Sequence, residues 1–98
     1  MAKAPNPITS MDGRTVVITG ANSGIGLETA AALASAGARI VMGCRNPVTA
    51  AAAVDEVRRR SGSEAVETRP LDLADLEQVR RFADDLSDLD RIDVLINN

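Results

Sequence analysis

The amino-acid sequence predicts an α/β domain built on one parallel sheet with helices on both faces. Four short runs of β-branched and aliphatic residues alternate with three segments of helical apolar spacing, in the order βαβαβαβ. Strands joined by helices of this length require right-handed crossovers and a parallel sheet. A glycine-rich loop also follows the first strand, which is where a doubly wound sheet binds its ligand. We therefore predict the strand order 3-2-1-4.

The first strand and the first helix are predicted over Thr15–Thr19 and over residues 24–36. The strand is a continuous β-branched run, which is typical of a strand buried on both faces. The helix carries small and aliphatic residues, and Gly37 suits a left-handed cap at its end. Residues 1–12 are predicted to be a flexible tail, and residues 13–98 to form the domain.

The second strand is predicted over residues 39–43. Asn46 and Pro47 then supply an N-cap and a first-turn proline, and the helix that they open is expected to run to about Arg60. Residues 61–63, Ser-Gly-Ser, end this helix.

The third strand is predicted over residues 65–70, where polar and apolar residues alternate and the run ends in Pro70. Such a strand suits the edge of a sheet. The third helix has acidic residues Asp75 and Glu77 in its predicted first turn. Its predicted apolar face consists of Leu76, Val79, Ala83 and Leu86.

The fourth strand is predicted over residues 92–96 and leads into Asn97 and Asn98. In the order 3-2-1-4 this strand lies at the edge, where Leu95 and its neighbours would be exposed. An exposed apolar edge normally has more sheet beside it. We therefore expect the sequence to be the N-terminal part of a longer protein.

Composition and charge exclude several function classes. The net charge is −3 and no contiguous basic stripe is present, so nucleic-acid binding is not expected. Cys44 is the only cysteine and histidine is absent, so neither an intrachain disulfide nor a metal site is expected, and a reduced, cytoplasmic setting is the default. No run reaches the roughly 18 apolar residues of a membrane span.

A glycine-rich loop joins the first strand to the first helix. Gly20 permits a tight turn, Gly24 permits close approach of the backbone, and Gly26 lets the helix pack on the sheet. The N–H groups and the dipole of the helix start suit a pyrophosphate. A turn that merely needs glycine explains one or two of these glycines, but not all three at this spacing. The candidate cofactor-binding residues of the loop are Gly20, Asn22, Ser23, Gly24, Ile25 and Gly26.

The residues that follow the second strand predict NADP(H) as the preferred cofactor, with NAD(H) also possible. A Rossmann-type domain that uses NAD has an acidic residue about 20 residues after the glycines, to bind the ribose 2′-hydroxyl. This chain has Cys44-Arg45-Asn46 there. Arg45 can pair with a 2′-phosphate. The free energy of such a pair corresponds to a preference for NADP(H) over NAD(H) on the order of ten- to a hundredfold. Asn46 and the hydroxyl of Ser23 are expected to assist. The alternative is that Arg45 is a solvated loop charge.

Three elements of the sequence resemble the short-chain dehydrogenases/reductases. The loop from Thr19 to Gly26 matches the family motif Thr-Gly-x-x-x-Gly-x-Gly. Asp72 and Leu73 resemble the pair that contacts the adenine ring, although Asp72 alone is more often a helix-capping acid. Asn97 and Asn98 resemble the start of Asn-Asn-Ala-Gly. The resemblance therefore adds Asp72, Leu73 and Asn98 to the candidate cofactor-binding residues.

The resemblance covers about residues 12–98 and is greatest to the branch around retinol dehydrogenases and protochlorophyllide reductases. Many NADP-preferring members have a basic residue just before the middle glycine, but this chain has Ser23 there. The family transfers hydride between a nicotinamide and a carbonyl or alcohol, and its members usually associate through later helices, so a homo-oligomer is open for the longer protein.

The family's catalytic Ser, Tyr and Lys lie beyond the Asn-Asn-Ala-Gly element. This sequence has no Tyr, and its only Lys is Lys3. We therefore expect no catalytic residue in these 98 residues, and no activity from them alone. Two alternatives stay open, namely a stand-alone nucleotide-binding or sensor module and a nonfunctional gene fragment.

Overall fold

The structure, a computed structural model, describes residues 10–20 and 24–98. Most of the predicted tail and the candidate residues Asn22 and Ser23 lie outside the described residues. The elements are β1 (Thr15–Thr19), α1 (Gly24–Ser35), β2 (Arg39–Cys44), α2 (Pro47–Ser61), β3 (Val66–Pro70), α3 (Leu76–Asp85), a 3₁₀ helix (Leu86–Asp88) and β4 (Val94–Asn97). None of the helices in the described part of the chain is long and apolar enough to cross a membrane.

The strands form one parallel sheet in the order β3-β2-β1-β4, which confirms the predicted order. Val17 of β1 pairs with Val41 of β2 on one side and with Leu95 of β4 on the other. Because all pairs are parallel, the carboxyl ends of the strands lie at the same edge of the sheet.

The core lies on both faces of the two central strands. All of β1 is buried, and so is all of β2 except Arg39. On one face, aliphatic and alanine side chains of α1 and α2 pack against the strands. The smaller cluster on the other face consists of Val17, Val41, Leu71 and Phe82. The face that α1 and α2 cover is therefore packed with alanine and aliphatic side chains, and Phe82, the one aromatic residue of the sequence, lies on the other face.

The predicted helix caps are present. The N–H of Gly37, at φ 102°, donates to the Ala34 carbonyl at 3.0 Å, and the N–H of Ala38 donates to the Leu33 carbonyl at 3.1 Å. This pair of bonds is a Schellman motif. Asn46 caps α2, which begins with proline and ends before Gly62.

The segment before β1 contacts the end of α1. The N–H of Met11 donates to the Ala36 carbonyl at 2.7 Å, and its half-buried side chain packs against the core cluster of α1 and α2. Met11 falls within the predicted tail, so the packed domain includes a residue before position 13.

The predicted apolar face of α3 is wrong at two positions. Leu76 is 72% exposed and Ala83 is also exposed, whereas Phe82 is only 6% exposed. Val79 packs at the border of the same cluster. Asp75 is the N-cap of α3 instead of a first-turn residue, since its side chain accepts from the N–H groups of the first turn.

Space above β2 explains why Phe82 is buried. A Cβ atom at Gly43 would lie 2.8 Å from Leu71 Cδ2 and 3.0 Å from the Phe82 ring. Because Gly43 has no side chain, the ring lies directly over the strand. The spacing of apolar residues along α3 cannot reveal this space, because Gly43 belongs to a different element, β2.

The fourth strand begins two residues later than predicted, at Val94. The carboxylate of Asp93 accepts the Thr15 N–H at 2.8 Å and the Asp93 N–H donates to the Thr15 carbonyl at 2.9 Å, next to the first paired residues, Val16 and Val94. Ile92 precedes the strand and is exposed, and Leu95 is 64% exposed along the edge. The predicted apolar edge is therefore present.

Candidate functional site

The candidate residues gather at the carboxyl edge of the sheet. Gly20 follows β1, Arg45 follows β2, Asp72 lies two residues after β3, and Asn98 follows β4. A cleft of about 190 Å³ at this edge is lined by Gly20, Gly43, Arg45, Leu71, Asp72 and Leu73. The structure thus brings Gly20, Arg45, Asp72 and Leu73 into one cleft, as a ligand site outside parallel strand ends requires.

Two glycines of the loop, Gly20 and Gly24, have the backbone that a tight turn needs. Gly20 and Gly24 have φ of 65° and 59°, in the left-handed region that favours glycine. The N–H of Gly20 donates to the Gly43 carbonyl at 2.9 Å, which ties the loop to β2. A Cβ at Gly24 would meet no described atom within 4 Å, so the backbone there is open to a ligand. Gly26 is buried within α1 and Ile25 is exposed.

Arg45 is an exposed cation at the cleft. Other arginines are committed elsewhere, for example Arg39 to Glu67 at 2.7 Å and Arg60 to Glu56 at 2.6 Å. Arg45 differs from these arginines, because its side chain forms no ion pair with an acidic residue within residues 10–20 and 24–98. Its guanidinium is therefore available to an anion in the cleft.

Asn46 has a different position from the other predicted ligands. Its Oδ1 accepts the N–H of Val48 at 2.8 Å and the N–H of Thr49 at 3.2 Å. It does not belong to the set of described residues that line the cleft. Asn46 is thus an N-cap directly after Arg45, with its side-chain oxygen already used.

Asp72 shapes the turn that closes the cleft after β3. Its Oδ1 accepts the Ala74 N–H at 3.0 Å, and its carbonyl accepts the Asp75 N–H at 3.0 Å. The turn directs Leu73 outward, where 61% of the residue is exposed. Together with Leu71, Leu73 gives the cleft an apolar wall suited to a flat ring.

Asn98 joins β4 to the start of the glycine loop. Its Nδ2 donates to the Gly20 carbonyl at 2.9 Å and its N–H donates to Thr19 Oγ1 at 3.2 Å. The Thr19 hydroxyl in turn donates to Asn97 Oδ1 at 3.0 Å. Asn98 therefore contacts Gly20 at the border of the cleft, but it does not itself belong to the set of described residues that line the cleft.

The shifted pKa values belong to ion pairs outside the cleft. The Thr15 N–H and then the Arg91 guanidinium lower the pKa of Asp93, whose side chain is 7% exposed. Burial alone would raise the pKa of Glu67, but hydrogen bonds from Arg39 and Arg69 outweigh it, so the pKa is lowered. Within the described ranges, no three His, Cys, Asp or Glu side chains are grouped so that they could hold a metal ion.

Two cleft residues were missed by sequence reasoning. The sequence places Gly43 only at the end of a strand and indicates no role for Leu71. Leu71 is held by its N–H, which donates to the Cys44 carbonyl at 2.9 Å. A glycine at the end of a buried strand, next to the predicted Arg45, was the available signal for Gly43.

Comparisons with known proteins all point to dehydrogenases and reductases. A family model described as short chain dehydrogenase matches residues 14–98. The chain is 48% identical over 101 residues to "Dehydrogenase/reductase SDR family member 13" of Bos taurus, covering 100% of this chain and 27% of that protein. It is 45% identical over 102 residues to "Retinol dehydrogenase 14" of Homo sapiens, covering 90% of this chain and 30% of that protein.

Solved structures show the same relationship. The "Pseudomonas aeruginosa RhlG/NADP active-site complex" matches with a TM-score of 0.82 and 33% identity, covering 96% of this chain and 37% of that chain. The chain spans 27–30% of the length of the two curated relatives named above.

Proposed function

The chain belongs to the short-chain dehydrogenase/reductase family, and we propose that it forms the NADP(H)-binding portion of an oxidoreductase acting on a carbonyl or an alcohol. The observation that carries the proposal is Arg45, an exposed arginine without an ion-pair partner among the described residues, at the cleft where an NAD-binding domain has an acid. The nicotinamide cofactor, when bound, supplies or accepts the hydride.

The described residues fit a dinucleotide. The open backbone at Gly24 leaves room for a pyrophosphate at the start of α1, where free N–H groups and the helix dipole favour an anion. Leu71 and Leu73 provide apolar contact for the adenine, and Asp72 provides a carboxylate. Arg45 provides planar, charged donors for a 2′-phosphate.

We also propose the substrate class and the acid–base step of the reaction, which involve a longer protein than this chain. Relatives named as dehydrogenases and the family's oxidoreductase chemistry support a carbonyl or alcohol substrate. The sequence has no Tyr, so we assign the acid–base step to residues that the chain does not span. A cytoplasmic location and homo-oligomerisation stay predictions.

Titration of the 98-residue chain with NADPH and with NADH, followed by cofactor fluorescence, tests the proposal. We expect NADPH to bind more tightly, on the order of ten- to a hundredfold. Arg45→Asp should remove or reverse that preference, and Gly24→Asp should weaken both cofactors. Equal affinity for both cofactors, or absence of binding, in a chain shown to be folded by circular dichroism would overturn the proposal.

A further inference from the structure

Arg45 is the single residue between two fixed backbone segments. On one side, the carbonyl groups of Gly43 and Cys44 accept the N–H groups of Gly20 and Leu71, both at 2.9 Å. On the other side, the capped start of α2 begins at Asn46. The backbone at Arg45 therefore has little freedom as long as both segments are intact.

Asn46 holds the second segment through several bonds. Its side-chain oxygen accepts two N–H groups of the first turn, and its carbonyl accepts the Ala50 N–H at 2.9 Å. Its φ of −95° and ψ of 118° are extended, as the following Pro47 favours. The side chain of Asn46 thus fixes the direction in which the chain leaves Arg45.

Because the side chain of Arg45 has no ion-pair partner in the part of the chain described, its backbone is its main restraint. An arginine whose backbone is fixed loses less conformational freedom when it pairs with an anion. Asn46 does not line the cleft with Arg45, and its oxygen is engaged by the cap. Asn46 can therefore affect ligand binding only through the position of Arg45.

We propose that Asn46 is a positioning residue which sets the discrimination between NADPH and NADH by holding Arg45 at the cleft. This inference rests on the proposed function. It assigns to the helix cap a role in ligand selectivity in addition to its role in stability.

Five variants separate this role from a purely structural one. Asn46→Ala removes the cap, whereas Asn46→Ser retains a side-chain oxygen that can cap the helix. Asp75→Ala is the matched control, because Asp75 caps α3 through the same two kinds of N–H bond, at 2.9 and 3.4 Å. The remaining two variants are Arg45→Ala alone and the double substitution Arg45→Ala with Asn46→Ala.

The readout is the ratio of NADPH to NADH affinity. We expect Asn46→Ala to lower this ratio by about threefold or more, and Asn46→Ser to keep it within about twofold of the unsubstituted chain. Asp75→Ala should leave the ratio unchanged although it lowers stability, since the adenine base is common to both cofactors and Asp75 caps a different helix from the one that follows Arg45. In the Arg45→Ala background, Asn46→Ala should not change the ratio further.

An unchanged ratio in Asn46→Ala, or an equal loss with and without Arg45, would overturn the inference. A folded, unsubstituted chain without NADPH preference, or a preference that Arg45→Ala does not change, would instead overturn the proposed function. The two failures are therefore distinguishable within one set of titrations.

Discussion

The side-chain amide of Asn98 donates to the Gly20 carbonyl at 2.9 Å, which links the last residue of the chain to the first residue of the glycine turn. The buried Thr19 hydroxyl completes the link, because it accepts the Asn98 N–H and donates to Asn97. The edge strand β4 is thus attached directly to the proposed phosphate-binding loop.

Thr19→Val should uncouple the edge strand from the loop. The substitution conserves volume but leaves the Asn98 N–H without its partner, so we expect a loss of about 1–2 kcal/mol in the free energy of unfolding. Both cofactors should bind more weakly by a similar factor. Urea unfolding and NADPH titration measure these effects. Thr29→Val on α1 is the control, and an equal loss there would contradict the specific role of Thr19.

Gly24→Ala should weaken cofactor binding through the backbone. The left-handed φ of 59° costs a non-glycine residue about 1 kcal/mol or more, and the new methyl group enters the space proposed for the pyrophosphate. Gly62→Ala is a matched control, since Gly62 has φ 72° and equally open space but lies at the end of α2. Both variants should lose similar stability, and only Gly24→Ala should lose NADPH affinity. Similar affinity losses in both would argue against the loop assignment.

Asp93 should make the chain sensitive to acid. Its folded pKa lies below the ordinary value of 3.8, so its stabilising effect is complete above that ordinary value and is lost as the pH falls toward the lowered one. Unfolding free energies measured by urea between pH 7 and pH 3 should therefore fall less in Asp93→Asn than in the unsubstituted chain, with the difference below about pH 5. Asp90→Asn, at an exposed carboxylate nearby, should behave like the unsubstituted chain. Parallel pH profiles for all three proteins would refute this role.

Gly43→Val should crowd the floor of the cleft. The added atoms would overlap Leu71 and Phe82, which lie within about 3.0 Å of the Cβ position. We expect a loss of about 1–3 kcal/mol in unfolding free energy, together with weaker binding of both cofactors. Gly43→Ala should cost less, because the contacted atoms are the ends of two side chains that can shift slightly. Unchanged affinity in a folded Gly43→Val chain would show that the cleft is not occupied.

The local elements of the fold were predictable because their signals lie within each segment. Gly37 ends α1, and Asn46 with Pro47 opens α2, as the sequence indicates. The alternation of strands and helices predicts a parallel sheet, and together with the glycine-rich loop after β1 it indicates the doubly wound order that the structure has. A parallel sheet also places the candidate residues at one edge.

The errors arose where distant residues decide the structure. Phe82 is buried instead of Leu76 because Gly43, on another element, leaves space for its ring. The start of β4 lies next to the bonds between Asp93 and Thr15, which are 78 residues apart. The role of Asn46 as a cap was evident from the sequence, but its absence from the cleft lining required the structure.

The central claim is that Arg45 binds a 2′-phosphate in the cleft, and calorimetric titration with adenosine 2′,5′-bisphosphate and with 5′-AMP tests it most directly, because these ligands differ only in that phosphate. Three chains are compared, namely the unsubstituted chain, Arg45→Ala and Arg81→Ala. Arg81 is an exposed arginine on α3, outside the set of described residues that line the cleft.

We predict that the bisphosphate binds at least about tenfold more tightly than 5′-AMP, that Arg45→Ala abolishes the difference, and that Arg81→Ala preserves it. Equal affinities in the folded, unsubstituted chain, or an equal loss in Arg81→Ala, would contradict the account.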